Sequence, residues 1–376
     1  MNRLQRLQRA GVSIWLDDLS RELLENGVFA RLVTDLAVTG ATSNPTIFAK
    51  AITSSDYDSQ IRRALHSGGA DPRELFFELA LEDVRRGTDL LRAVYELSDG
   101  RDGFVSFECT PDLADDAEAT VAQALEIRDR LDVPNLLIKV AATDAGITAI
   151  EELTARGVSV NVTLLFSLRR YEQAIGAYWD GLERRAGAGK PLADVSSVAS
   201  FFVSRVDAEV DPQLGPDSPL RGRIAIANAQ RAYARYLEAL AGPRWRRLEA
   251  LGARPQRPLW ASTGTKDVTY SDVRYVQELI APGVINTMPL ETLLAFLGHG
   301  DVAGSLGTKA STADQLLGEL AEAGVDLDAV TERLERNGVE SFRDSYRELL
   351  SCIETRVGEL SPQPEEPMAV LAGTSR

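Results

Sequence analysis

Histidine and cysteine are almost missing from this chain. Its 376 residues include two histidines, His66 and His299, and two cysteines, Cys109 and Cys352. A zinc site built from Cys and His needs three or four ligands at set spacings, and nothing here supplies them. No C-x-x-C pair offers a redox centre, and two distant cysteines suit a reducing cytosol. Lysine is scarce too: among 41 basic residues only Lys50, Lys139, Lys190, Lys266 and Lys309 are lysines, and the rest are arginines. An amine nucleophile therefore has five candidates, and acid–base work falls mostly to carboxylates or lysine. No run approaches the roughly 18 uncharged apolar residues of a membrane helix. The start, MNRLQRLQRAGVSIWLDD, has no sustained apolar segment and does not read as a signal peptide. The net charge of −15 disfavours nucleic-acid and anionic-membrane partners. An anionic substrate would need a local basic pocket.

What is present is alternation. GVSIWLDD, LAVTGATSNP, GFVSFECT, NLLIKVAAT, VSVNVTLLF, DVSSVASFFV, RPLWAST and APGVINT read as strands. Helical runs separate them. RELLENGVFARLV reads as one helix, and Phe76, Ala80, Val84, Gly87, Leu91 and Val94 mark another by their period. DAGITAIEELTARG is a helix with Asp144 expected as its N-cap and Gly157 as its stop. Parallel strands need a crossover, usually a helix. Eight such units predict a (β/α)8 TIM barrel, with extra helices after strand 2 and at the C-terminus. An open doubly wound sheet is the alternative, weakened by the lack of G-x-G-x-x-G after any strand. Residues 1–360 are expected to form a single barrel domain with C-terminal helices. Residues 361–376, rich in Pro, Ser and Glu, are expected to be a disordered tail.

The strand ends carry residues foreign to an apolar strand: Asp17, Asn44, Glu108, Lys139, Asn161 with Thr163, Ser200 and Ser262. Side chains alternate faces along a strand. Lys139 is in step with Leu137, Glu108 with Phe104 and Ser106, and Asn161 with Thr163. All could point into a barrel and form one polar ring at its C-terminal mouth, where barrel sites lie. Lys139, inside LLIKVAA, stands out. Burial favours a neutral amine, which can attack a carbonyl to form a Schiff base. The plainer alternative is a lysine paired with a carboxylate at the end of a strand. Glu108 and Asp17 are then either ion-pair partners or acid–base groups.

The ordered segments WLDD, TSNPTIF, VSFE, LLIKVAAT, VNVTLLFS, ASFFVSR and WASTGTKD closely resemble signatures of the transaldolase family, in its longer bacterial branch. The resemblance spans about residues 11 to 300. It implies a (β/α)8 barrel, no cofactor or metal, and a cytoplasmic role in the pentose phosphate pathway. A dihydroxyacetone unit would pass from sedoheptulose 7-phosphate, or fructose 6-phosphate, to glyceraldehyde 3-phosphate, or erythrose 4-phosphate. Lys139 would carry the Schiff base, Asp17 the hydroxyl proton, and Glu108 the acid–base step through a water that Thr163 positions. Asn44, Asn161 and Ser200 would bind substrate, and Arg205 and Ser262 would hold phosphate. Many members place an arginine shortly after the strand-seven serine. Here the text is Ser262-Thr263-Gly264-Thr265-Lys266, so Lys266 either replaces that charge or is a solvated loop lysine.

A fructose-6-phosphate aldolase is the nearest rival, but such chains are shorter and tend to carry tyrosine where this one has Phe202. A silent sugar-phosphate-binding barrel is the rival from another class; it would be expected to lack Lys139, Glu108 or Asp17. The helices beyond residue 310 and the loop VDPQLGPDSPLRGR are candidates for covering the site or contacting a second copy in a homo-oligomer. His66, His299, Cys109, Cys352, Tyr178 and Trp179 read as helix-end or packing residues. Lys50, Lys190 and Lys309 read as surface charges.

Overall fold

Short runs rich in Val, Ile, Leu and Phe become eight strands: β1 (Ser13–Leu16), β2 (Val38–Thr42), β3 (Phe104–Glu108), β4 (Leu136–Ala141), β5 (Val160–Leu165), β6 (Ser197–Phe202), β7 (Gln256–Ala261) and β8 (Ile285–Met288). In the computed structural model, which describes residues 1–52, 54–68, 71–302 and 310–361, they close in chain order into one parallel barrel, β8 pairing with β1. This is the (β/α)8 architecture expected, not the open sheet. Lys309 and residues 362–376 lie outside the described residues, as does the side chain of Lys50.

Register sets the polar strand ends level with one another. Glu108 pairs with Lys139 across β3 and β4, and Lys139 with Asn161 across β4 and β5. Lower in the barrel, Gly40 makes room for Trp15: a Cβ there would lie 2.5 Å from the indole. The Trp15 indole N–H in turn donates to Asp102 at 2.8 Å, so this large ring is buried without an orphaned donor.

The extra helices sit where expected. Pro45–Ala51, Asp58–His66 and Pro72–Leu97 follow β2, and Ala310–Glu322 and Leu327–Leu360 close the described chain. Three local readings change. The run 21–33 is two helices, Arg21–Glu25 and Val28–Asp35, because Gly27 takes φ 72° between them. Thr143, not Asp144, caps Asp144–Arg156: its hydroxyl accepts the Gly146 N–H, while Asp144 pairs with Arg170 at 2.6 Å. A helix not anticipated, Arg3–Arg9, is held by a capping box between Asn2 and Gln5 and buries Leu4 and Leu7. Gly157 ends its helix at φ 85°, as expected.

The helix Leu327–Leu360 has 34 residues, a length of about 50 Å at the usual rise per residue. It packs on Pro45–Ala51, Pro72–Leu97, Ser204–Val210 and β5, elements that surround the C-terminal mouth of the barrel. No helix among the described residues is long and apolar enough to cross a membrane.

Candidate active site

Lys139 projects from β4 and is only 5% exposed. Its Nζ donates to the Ser43 carbonyl at 3.1 Å and to Glu108 Oε2 at 3.2 Å. Both readings of this lysine therefore meet here: it is paired with a carboxylate, yet buried at the mouth of the barrel. Glu108, on β3, is 7% exposed. Burial raises its carboxyl above the ordinary range, Lys139 pulls it back, and the charge of Asp17 pushes it further up.

Asp17 follows β1. Its Oδ1 accepts from the Thr42 hydroxyl at 2.7 Å, and Thr42 lies 2.9 Å from the Thr287 hydroxyl. On the other side, Asn161 Nδ2 donates to Ser106 Oγ at 2.7 Å, and Ser200 Oγ donates to Asn161 Oδ1 at 2.7 Å. That chain fixes the Asn161 amide between β3 and β6. Thr163 Oγ1 is buried with no hydrogen-bond partner, so it keeps capacity for a reacting group. Just beyond it Leu164 takes φ 60°, where the pairing of β5 with β6 shifts register. Such bulges re-aim side chains near active sites. Ser262, just past β7, is also left-handed at φ 55°, and its Oγ lies 3.0 Å from Ser204 Oγ.

Asn44 has two employments. Its Oδ1 accepts the Ile47 N–H at 3.1 Å and caps Pro45–Ala51, and it also lines the cavity. Arg205 lies over the Phe202 ring, 5.3 Å from its centroid. Burial pulls the Arg205 guanidinium below its usual range, and Asp17 opposes that. A half-buried guanidinium in this position suits a bound anion.

These groups meet around a cavity of about 300 Å³. Its wall includes Asp17, Asn44, Lys139, Thr163, Ser200, Phe202, Arg205, Ser262 and Lys266. Glu108 and Asn161 stand behind the wall, bonded to Lys139 and Ser200. Lys266 is exposed. Thr42, Thr287 and Phe342 also line the cavity and were not anticipated. Thr42 ends β2 and Thr287 is next to the end of β8, and Thr42 shares the parity of Asn44, so that signal was present. Phe342 comes from the last helix and has no local signature. No cluster of three His, Cys, Asp or Glu suited to a metal stands among the described residues.

The residues set aside lie apart from the cavity. Cys109 faces outward, its Sγ 3.9 Å from the Thr120 carbonyl on the next helix. Trp179 stacks on Trp245, and Tyr178 is buried in the same small cluster. His66 and His299 end helices, and Lys190 is exposed.

Fold and site together define a (β/α)8 barrel with a lysine-centred polar cavity at the C-terminal mouth. The family model described as "Transaldolase/Fructose-6-phosphate aldolase" matches residues 14–353, and the chain belongs to that family. It is 50% identical to the transaldolase of Saccharopolyspora erythraea over 361 residues, covering 95% of this chain and 98% of that one. It is similarly 50% identical to the transaldolase of Frankia alni over 363 residues, with 95% and 98% covered. The transaldolase of Mycolicibacterium smegmatis is 47% identical over 359 residues, 93% of this chain and 96% of its own.

Proposed function

We propose that the chain is a transaldolase acting on sugar phosphates through a Schiff base on Lys139. The observation that carries this is the buried Lys139 amine, 3.2 Å from the buried Glu108 carboxyl, at the mouth of a barrel whose relatives are transaldolases over nearly their whole length. The donors are sedoheptulose 7-phosphate or fructose 6-phosphate, and the acceptors glyceraldehyde 3-phosphate or erythrose 4-phosphate. The setting is cytosolic, and residues 1–360 act as one domain.

The amine attacks the ketone, and Glu108, whose carboxyl holds its proton more readily than usual, shuttles protons as the hydroxyl leaves as water. Thr163 holds the water through which that transfer runs. Asp17 takes the proton of the donor's C4 hydroxyl as the C3–C4 bond breaks. The electron pair of that bond flows into the iminium and gives an enamine. Attack of the enamine on an aldehyde forms the new bond, and Asp17 returns the proton. Asn44, Asn161 and Ser200 hold the hydroxyls of the waiting unit, while Arg205, Ser262 and Lys266 hold phosphate. Phe202 in place of tyrosine favours transfer over the aldolase rival.

Borohydride reduction with fructose 6-phosphate, followed by peptide mass mapping, tests the reading. A three-carbon adduct on Lys139 is expected; an adduct elsewhere, or none, rejects it. A coupled assay with erythrose 4-phosphate as acceptor separates transfer from aldol release.

A further inference from the structure

The last helix does more than pack against the barrel. Phe342 is 6% exposed, lines the active-site cavity, and sets its ring centroid 5.7 Å from Lys139 Nζ. The other cavity residues named above come from the strands, the loops that follow them or, for Arg205, the short helix directly after β6; this one arrives from a helix far along the chain. The helix is pinned around it. Ser345 and Thr46 hydroxyls lie 2.8 Å apart, Arg343 donates to the Pro111 carbonyl at 3.2 Å, and the buried Arg170 pairs with Glu335 at 2.9 Å. Gly338 lets the helix sit close: a Cβ there would lie 3.0 Å from Leu164 Cδ2, beside the β5 kink.

The chemistry gives an apolar roof a purpose. Once the donor has been cleaved, the enamine on Lys139 is electron-rich at carbon and must wait for an aldehyde. If its carbon takes a proton instead, the resulting iminium is hydrolysed: water adds to carbon, the C–N bond breaks, and dihydroxyacetone and the lysine amine are released. An apolar ring beside the nitrogen excludes the solvent that this side reaction needs. Much of the remaining wall carries hydroxyl, amide and charged groups that bind the substrate, and Phe202 is the other aromatic ring there.

We propose that Phe342 is a specificity-determining residue that holds bulk solvent, beyond the one water kept by Thr163, off the Lys139 enamine and so commits it to transfer. This rests on the transaldolase reading above. The test compares Phe342→Ala and Phe342→Leu with the unaltered enzyme. Dihydroxyacetone release from fructose 6-phosphate without acceptor is measured against transfer to erythrose 4-phosphate.

In Phe342→Ala the ratio of release to transfer is expected to rise roughly tenfold, with borohydride trapping on Lys139 retained. Phe342→Leu, which keeps apolar bulk, is expected to stay near the original ratio. An unchanged ratio in a folded Phe342→Ala overturns the proposal, as does an equal rise in Phe342→Leu. If Phe342→Ala does not fold, Phe342→Val serves as the opened variant with the same two outcomes. A failure of the transaldolase reading shows differently: the unaltered enzyme would then give no adduct on Lys139.

Discussion

Arg205 and Lys266 are both read as phosphate contacts, yet their surroundings differ. Arg205 is half-buried and lies over Phe202, so its charge acts where water screens it little. Lys266 is exposed at the rim, where a single ionic contact is worth about 1 kcal/mol or less. Lys266→Ala should therefore raise the Michaelis constant for fructose 6-phosphate by about two- to fivefold with kcat nearly unchanged, the mark of lost uniform binding. An unchanged constant would make Lys266 a solvated loop cation. Glu108→Gln should behave otherwise. It removes a proton shuttle, so kcat should fall by roughly 10²–10⁴ in steady-state assays. A fall of less than tenfold would leave Glu108 only a partner that holds Lys139 in place. At this scale strand parity was a sound guide. Lys139, Glu108, Asn161 and Thr163 point inward because a strand has a strict period of two. Parity could not say that Glu108 and Asn161 stand behind the cavity wall, since depth along an inward face depends on register between strands.

Between elements, the close approach of the last helix to β5 depends on one residue without a side chain. Glycine inside a helix costs about 1 kcal/mol relative to alanine, and Gly338 is set against Leu164 and Phe166. Gly338→Leu would gain helix propensity but drive a side chain into packed neighbours. Overpacking of that kind costs about 1–3 kcal/mol, so the variant should unfold at lower urea and lose transfer activity together. A stabilised variant with full activity would show that the helix has room to shift. This contact also marks where sequence patterns stop informing. The eight strands and the helices between them were legible because each is a local run with its own period. Gly27 and Thr143 show the next limit: a left-handed glycine splits one apparent helix, and the cap falls one residue earlier than the acid that looks suited to it. The placing of Phe342 over Lys139 was not legible at all, because it joins two segments that only the closed barrel brings together.

Across the whole molecule, charge and burial act on stability in the same direction. The chain carries a net −15, and self-repulsion of that kind weakens the compact state as carboxylates ionise. Asp207 adds a defined local share. Burial pushes its carboxyl up to about 6, against the pull of hydrogen bonds from the Ala225 N–H and the Tyr275 hydroxyl. In the unfolded chain an aspartate titrates near its ordinary value of about 3.9. Below both values it is protonated in either state and costs nothing. As pH rises, the unfolded chain ionises first, so stability falls through the window between them and the loss is complete above the folded value. The full difference is about 3 kcal/mol. Glu108 and Asp83 are shifted upward by burial as well and add losses of the same sign. Asp144, Glu152 and Glu183, held low by arginines, stabilise the fold at neutral pH and lose that effect only at lower pH. The urea midpoint should therefore be higher near about pH 5.5 than near about pH 7.5. Asp207→Asn keeps a side chain able to bond both neighbours but cannot ionise. Its stability relative to the unaltered chain should rise as pH increases from about 4 to about 6 and level off above that. A difference that stays constant across that range would mean that Asp207 is solvated enough to ionise freely in the fold.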